Sequence, residues 1–204
     1  METAVSLLRS EPARELVDVA RRRHLVIHRT DPFDLPSRYG ALYLFTIGHD
    51  RWVTWAASGS CPAGQLMAFE YTHRLGASQR WARVVWTVVV LESSMPRPGA
   101  LLQGVVEPIA VGSFARYRHA SPEGATEPTE PHKLFCESAA ALHRWVDAGL
   151  AGFLQQHDPR TTWELRGRLI AGYRPDPAHA AEVDRLLDAV VGLHDLTDPT
   201  GRER

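Results

Sequence analysis

The sequence predicts an α+β domain: a mainly antiparallel β-meander of five or more strands packed against C-terminal helices, with an N-terminal helix. Three observations carry this. Gln65–Glu92 reads as a β-hairpin whose return strand is the most apolar run in the chain. Leu142, Trp145, Val146, Gly149, Leu150, Phe153 and Leu154 recur at helical spacing. Val183, Leu186, Leu187, Val190 and His194 form a second such stripe near the end.

In the hairpin, Met67, Phe69, Tyr71 and His73 fall on one face, and Ala68, Glu70, Thr72 and Arg74 on the other. Gly76-Ala77-Ser78-Gln79 supplies the turn. The return strand, Val84-Val85-Trp86-Thr87-Val88-Val89-Val90-Leu91, is apolar on both faces, which predicts a central strand covered on both sides. It is far shorter than the about 20 residues of a membrane-spanning helix. The rings of Phe69, Tyr71, Trp81 and Trp86 read as interior packing in preference to a ligand groove.

Ahead of the hairpin, residues 11–23 predict a helix with Pro12 in its first turn and Ala13, Leu16, Val17 and Ala20 on one face. A short strand begins at Leu25, flanked by His24 and His28, and Asp31–Pro36 is an irregular connection. Ala41–Ile47 and Arg51–Ala57 predict two strands, and Ser58–Gly64 turns the chain into the hairpin. Gly59 and Gly64 have phosphate-loop spacing, but Gln65 and Leu66 follow where that chemistry needs a lysine and a hydroxyl.

After the hairpin, Pro96 and Pro98 interrupt, and Leu101–Ile109 is extended. Residues 119–132 are Pro-rich and acidic and predict a mobile loop. Lys133–Glu137 is a strand, and Ser138 caps the helix that follows, with Gly149 and Gly152 as points of bending. Thr162–Leu165 and Arg168–Tyr173 predict a second hairpin about Arg166-Gly167. Asp176 and Pro177 have the chemistry of a helix cap and first position. The whole forms one domain over 11–196, with a frayed tail at 197–204.

Composition excludes several functions. The 204 residues carry a net charge of −1, which gives no drive towards nucleic acid. The basic residues are arginines except Lys133, and asparagine is absent, a bias of GC-rich bacterial genomes. The first fifteen residues show no apolar signal-peptide core, and Cys61 and Cys136 read as free thiols, so the expected location is cytoplasmic.

The familiar catalytic patterns are missing: no G-x-S-x-G, G-x-G-x-x-G, H-E-x-x-H or C-x-x-C. Glu70 and His73 have a helical ligand spacing but lie in a strand, on opposite faces. No cofactor, metal site or catalytic residue is therefore assigned. The one candidate binding feature is the basic run Arg21-Arg22-Arg23, a patch for an acidic partner or a membrane surface. As the end of a helix it also suits the helix dipole.

Gly64–Tyr71 (GQLMAFEY), Trp86–Leu91 (WTVVVL), the segment from Phe135 and Leu165–Ile170 (LRGRLI) resemble a bacterial family of unknown function. That family carries G-x(5–8)-[AM]-F-[DE]-Y followed by W-T-V-V-x-L. Arg23-His24 stands where the family pattern has Gly-Trp. The resemblance implies a fold and transfers no functional residue. The expectation is a non-catalytic interaction module that binds a protein partner or docks peripherally at a membrane, without nucleic acid and with no stoichiometry set by the sequence. The alternative is a small hydrolase-like enzyme with a His/Asp/Cys site assembled from distant loops.

Overall fold

The computed structural model describes residues 11–75, 82–105, 118–119 and 131–198. The predicted turn 76–79, Trp81, most of the 119–132 loop and the tail beyond Asp198 lie outside the described residues.

Helix α1 (Glu11–Arg22) leads into the short strand β1 (Val26–His28). A buried strap follows, made of a one-turn helix α2 (Leu35–Arg38) and a 3-10 turn at Tyr43–Thr46. Strands β2 (His49–Cys61), β3 (Gly64–Leu75) and β4 (Ala82–Gln103) form the meander. Then come β5 (Arg118–His119), β6 (Lys133–Cys136), α3 (Ala139–Asp147), α4 (Leu150–Gln156), β7 (Thr162–Arg174) and α5 (Ala180–Thr197). The α+β class and the antiparallel sheet are as the sequence predicts.

Among the described residues all strand pairs are antiparallel. The 22-residue β4 is the centre. One of its edges takes β7. The other takes β3 along its first half and β6 along its second. The β4–β7 register shifts between Glu92 and Ala100. Pro96 and Pro98 fall there, where a strand can lose two amide donors without breaking a regular ladder.

Each face of the sheet has its own core. On one, Ala68, Val89, Leu91, Leu102, Trp163 and Ile170 pack under α1, α3, α4 and α5. On the other, Met67, Phe69, Tyr71, Trp86, Val88 and Tyr173 pack under the strap, through Leu35, Tyr39, Leu42, Leu44 and Phe45. The period-two assignment of Met67, Phe69 and Tyr71 to one face therefore holds, and those rings with Trp86 are interior.

Several predicted elements differ. Pro96 and Pro98 do not end the strand, and Leu101–Gln103 continues β4 instead of forming a separate segment. The predicted turn Ser58–Gly64 is paired strand up to Cys61. Ala41–Ile47 is not a strand; its apolar residues close a sheet face from above as an irregular strap, so they show no strand partner. Thr162–Tyr173 is one strand, because the long β4 offers a continuous edge. Gly167, opposite Arg97, absorbs the irregularity with φ +59°. The predicted helix from Ser138 breaks into α3 and α4 at Gly149, whose φ is +102°. α5 begins at Ala180 and runs to Thr197, one residue past the predicted boundary. Asp176 is held elsewhere: its carbonyl accepts from Thr87 Oγ1 at 2.9 Å and its carboxylate faces Arg174 at 3.0 Å.

The strap is core, not decoration. Leu44→Ala should cost about 2–5 kcal/mol in urea unfolding, as a buried leucine in a sheet core does. A loss below about 0.5 kcal/mol would show the strap to be only laid on the surface.

Candidate functional site

Four groups of polar side chains bear on a candidate site; a fifth, the ion pairs of Arg174 with Asp158, Asp176 and Glu182, ties β7 to its flanking loops and to α5. The first is the predicted basic run. Arg23 Nε donates to Asp184 Oδ1 at 2.6 Å, and its two terminal nitrogens reach Asp188 at 2.6 and 2.7 Å. These bonds, to Asp188 and then Asp184, raise the Arg23 pKa further above its usual value. Arg22 leans on Asp184 at 3.4 Å, and Arg21 faces Asp18 at 3.8 Å. The geometry thus brings the three arginines to carboxylates of the chain itself and ties α1 to α5.

The second is a polar seam inside the strap-covered core. Glu164 on β7 is fully buried. Its two oxygens accept the Tyr43 amide at 3.0 and 2.8 Å, and Tyr173 Oη donates at 3.3 Å. Burial pushes its carboxyl up to about 7, against the opposing pull of the Tyr43 amide, Arg166 and the Tyr173 hydroxyl. Tyr173 meets Trp86 edge-on at 5.8 Å, Trp86 lies 6.3 Å from His73, and His73 5.4 Å from Tyr71. The Tyr71 hydroxyl, both His73 nitrogens and the Trp86 indole nitrogen make no hydrogen bond among the described residues. Burial, then Arg51 and His49, drive the His73 imidazole down to about 4, so it is neutral near pH 7. None of these seam residues lines either cavity described below.

The third is a cavity of about 120 Å³ lined by Phe33, Arg38, Tyr39, Ser58, Gln65 and neighbours. Beside it His28 Nε2 lies 2.8 Å from Ser58 Oγ, across β1 and β2. That is a base–hydroxyl distance, but nucleophilic catalysis also needs a group that orients the imidazole. Among the described residues no carboxylate lies within 4.0 Å of His28.

The fourth is a cleft of about 170 Å³ between the Pro96–Pro98 bend, the end of α3 and the end of α5. Arg97 lies at its floor, only 5% exposed. Its guanidinium donates to Thr197 Oγ1 at 3.0 Å, Ser93 Oγ at 3.0 Å, the Met95 carbonyl at 2.8 Å and, weakly, the His194 carbonyl at 3.4 Å. Desolvation lowers its pKa, partly offset by the charges of Asp198 and Asp195.

Other sequence candidates stay apart. Glu70 bonds Thr54 at 2.6 Å and the Ala178 amide at 3.2 Å, on the sheet face opposite to His73. Cys61 and Cys136 are free thiols. Cys136 is buried, which pushes its thiol pKa up, so it holds little thiolate. Among the described residues no three His, Cys, Asp or Glu side chains gather as metal ligands. None of their helices is long and apolar enough to cross a membrane.

The architecture is similar to that of a known structure. It matches the crystal structure of the mycobacterial trehalose monomycolate transport factor A, TtfA, with a TM-score of 0.67 and 14% identity. The match covers 92% of this chain and 95% of that one, and at such identity it is a likeness of fold. No family model matches the chain, and no curated protein matches it.

The sequence reading missed Glu164 and Arg97. Thr162-Trp163-Glu164-Leu165 put a carboxylate on an apolar strand, and Pro96-Arg97-Pro98 put a cation between two prolines in a strand. A charge in such company signals burial.

Glu164 sets a pH dependence. Its folded pKa is raised above that of the unfolded chain, so the stability linked to its proton is complete below about 4.5 and is lost as pH rises through about 7. Glu164→Gln keeps an acceptor for Tyr43 and removes the titration. The variant's stability relative to the parent should rise by about 2–3 kcal/mol between pH 4.5 and 7.5 and then level off. Urea midpoints across that range measure it, and a flat difference would show that Glu164 does not titrate there.

Proposed function

We propose that this chain is a non-catalytic interaction module that binds a protein partner. The observation that carries this is where the ionisable and aromatic groups lie. The seam from Glu164 to Tyr71 is closed under the strap and borders neither cavity. The two cavities, about 170 and 120 Å³, fall below the about 300–1,000 Å³ usual for small-molecule sites. They suit the anchoring of a single side group of a partner.

The fold neighbour TtfA is named a transport factor, which is compatible with this reading. The protein-partner branch is preferred to membrane docking because Arg22 and Arg23, the core of the basic run, are turned onto Asp184 and Asp188. A cytoplasmic location goes with two free thiols.

The 2.8 Å His28–Ser58 pair is the observation that favours the enzymatic alternative. The two readings separate experimentally. The module should capture a reproducible partner from native lysate, fail to sediment with anionic liposomes, and leave Ser58 unlabelled by a fluorophosphonate. Labelling at Ser58, with ester hydrolysis abolished by Ser58→Ala, would overturn the proposal.

A further inference from the structure

His73 is a titratable group sealed in the strap-side core without a partner. It is fully buried, and neither ring nitrogen makes a hydrogen bond among the described residues. A buried neutral imidazole left unpaired costs some stability, and a buried imidazolium without an acceptor costs far more. The groups around it offer no relief. From β2, Arg51 and His49 both oppose a proton on the ring. Asp50, between them, is turned onto Arg74 at 3.0 Å. From β3 and β4 the neighbours are Tyr71 at 5.4 Å and Trp86 at 6.3 Å, with Val84 opposite in the ladder. Arg83 lies over the Trp52 ring, and Glu164 is held at the far end of the seam by Tyr43 and Tyr173. Among the described residues no carboxylate lies within 4.0 Å of His73.

The cover over this ring is thin. Gly48 lies directly on it, since a Cβ there would stand 2.7 Å from His73 Cδ2. Yet Gly48 is only half-buried, and His49, Asp50 and Arg51 are exposed. The β2–β3 register shifts at this point: His49 pairs with Arg74 and Trp52 with Thr72, so Asp50 and Arg51 have no place in the ladder. Gly48 and Asp50 both sit in the left-handed region, with φ +71° and +47°, a backbone typical of switch segments. Arg51 bonds the Gly48 carbonyl at 3.1 Å, within the segment itself. The exposed Asp50–Arg74 pair is a surface contact of the kind that contributes little. A segment so lightly tied opens before the core beneath it.

We propose that Gly48–Arg51 is an acid-released lid, lifted when His73 takes a proton, and that its lifting uncovers the rings of Tyr71 and Trp86. Burial, then the charges of Arg51 and His49, hold the closed imidazole down at about 4. In the open state it titrates near the ordinary value of about 6.5. Between those values the open form binds more protons, so opening becomes more favourable as pH falls through that window. Glu164 acts in the opposite sense. It keeps its proton in acid, so the Tyr43 end of the strap stays down and the movement is confined to the Gly48 end. The lid goes beyond the interaction reading and needs no partner, so the two stand or fall separately.

The test is hydrogen exchange followed by NMR on the full chain between pH 7 and pH 4.5. The Trp86 indole N–H reports the lid side, and the Val190 amide of α5 reports the other face of the sheet. Trp86 protection should fall by about tenfold per pH unit below about 6.5, without Val190 falling in step. His73→Leu replaces the two unbonded nitrogens by an apolar side chain and should leave Trp86 protection level over the same range. A fall shared by Trp86 and Val190 would be general acid unfolding and would overturn the proposal. So would level protection in the parent, or the same fall in His73→Leu. Should that variant fail to fold, the His73 Cε1–H resonance decides. A ring that titrates near 6.5 with Trp86 still protected removes the lid, whereas one that stays neutral to below pH 5 in the closed form while Trp86 exchange quickens supports it.

Discussion

A strand that is paired on both edges and apolar on both faces creates two surfaces that must be covered, and β4 imposes this condition on the whole molecule. Thr87–Glu92 lies between β3 and β7. Val89 and Leu91 point to one core, and Val88 and Val90 to the other. No single layer can satisfy both. Helices cover one face, and the strap before β2 is drawn over the second. At about 25 cal/mol per Å² of apolar area, covering each face is worth far more than any single polar contact in the structure.

The strap has little regular structure of its own, so its backbone groups need other partners. Two carboxylates, Asp31 and Glu164, take strap amides, and a third, Glu92, holds strap side chains. Asp31 accepts the Phe33 and Leu35 amides at 3.1 and 2.8 Å. Glu92 accepts Arg38 Nε at 2.8 Å and the Tyr39 hydroxyl at 2.9 Å. Glu164 accepts the Tyr43 amide. Asp31 and Glu92 keep contact with solvent, while Glu164 is sealed. Its raised pKa follows from that difference in burial. The Arg97 bend belongs to the same strand: where β4 loses its regular ladder at two prolines, the side chain between them folds inward and meets the end of α5. Cover for the sheet and a cleft at its margin thus arise from one long strand.

Much of the fold was legible. The alternation in Gln65–Arg74 put the right rings inside, and Leu186, Leu187 and Val190 marked the buried side of α5. Periodicity reports burial on one face of a regular element, so it works where elements are regular. It failed at Leu42–Phe45, whose consecutive burial comes from lying between sheet and solvent as an irregular segment. It also failed at Gly167, where a turn-like dipeptide is a bulge within a continuous strand. The candidate sites were hardly legible. Arg21–Arg23 stood out as a run, but its partners Asp184 and Asp188 lie some 160 residues away. Arg97 and Glu164 looked like isolated charges.

The sequence by itself determined the class, the central strand and the inward faces of the main helices, because side-chain alternation and helical spacing are local and set by backbone geometry. Tertiary structure alone decided which carboxylates meet which arginines, which core the strap closes, and that Arg97 is buried against the end of α5. Such pairings depend on the sheet order, which brings together residues from distant parts of the chain, and no local pattern records that.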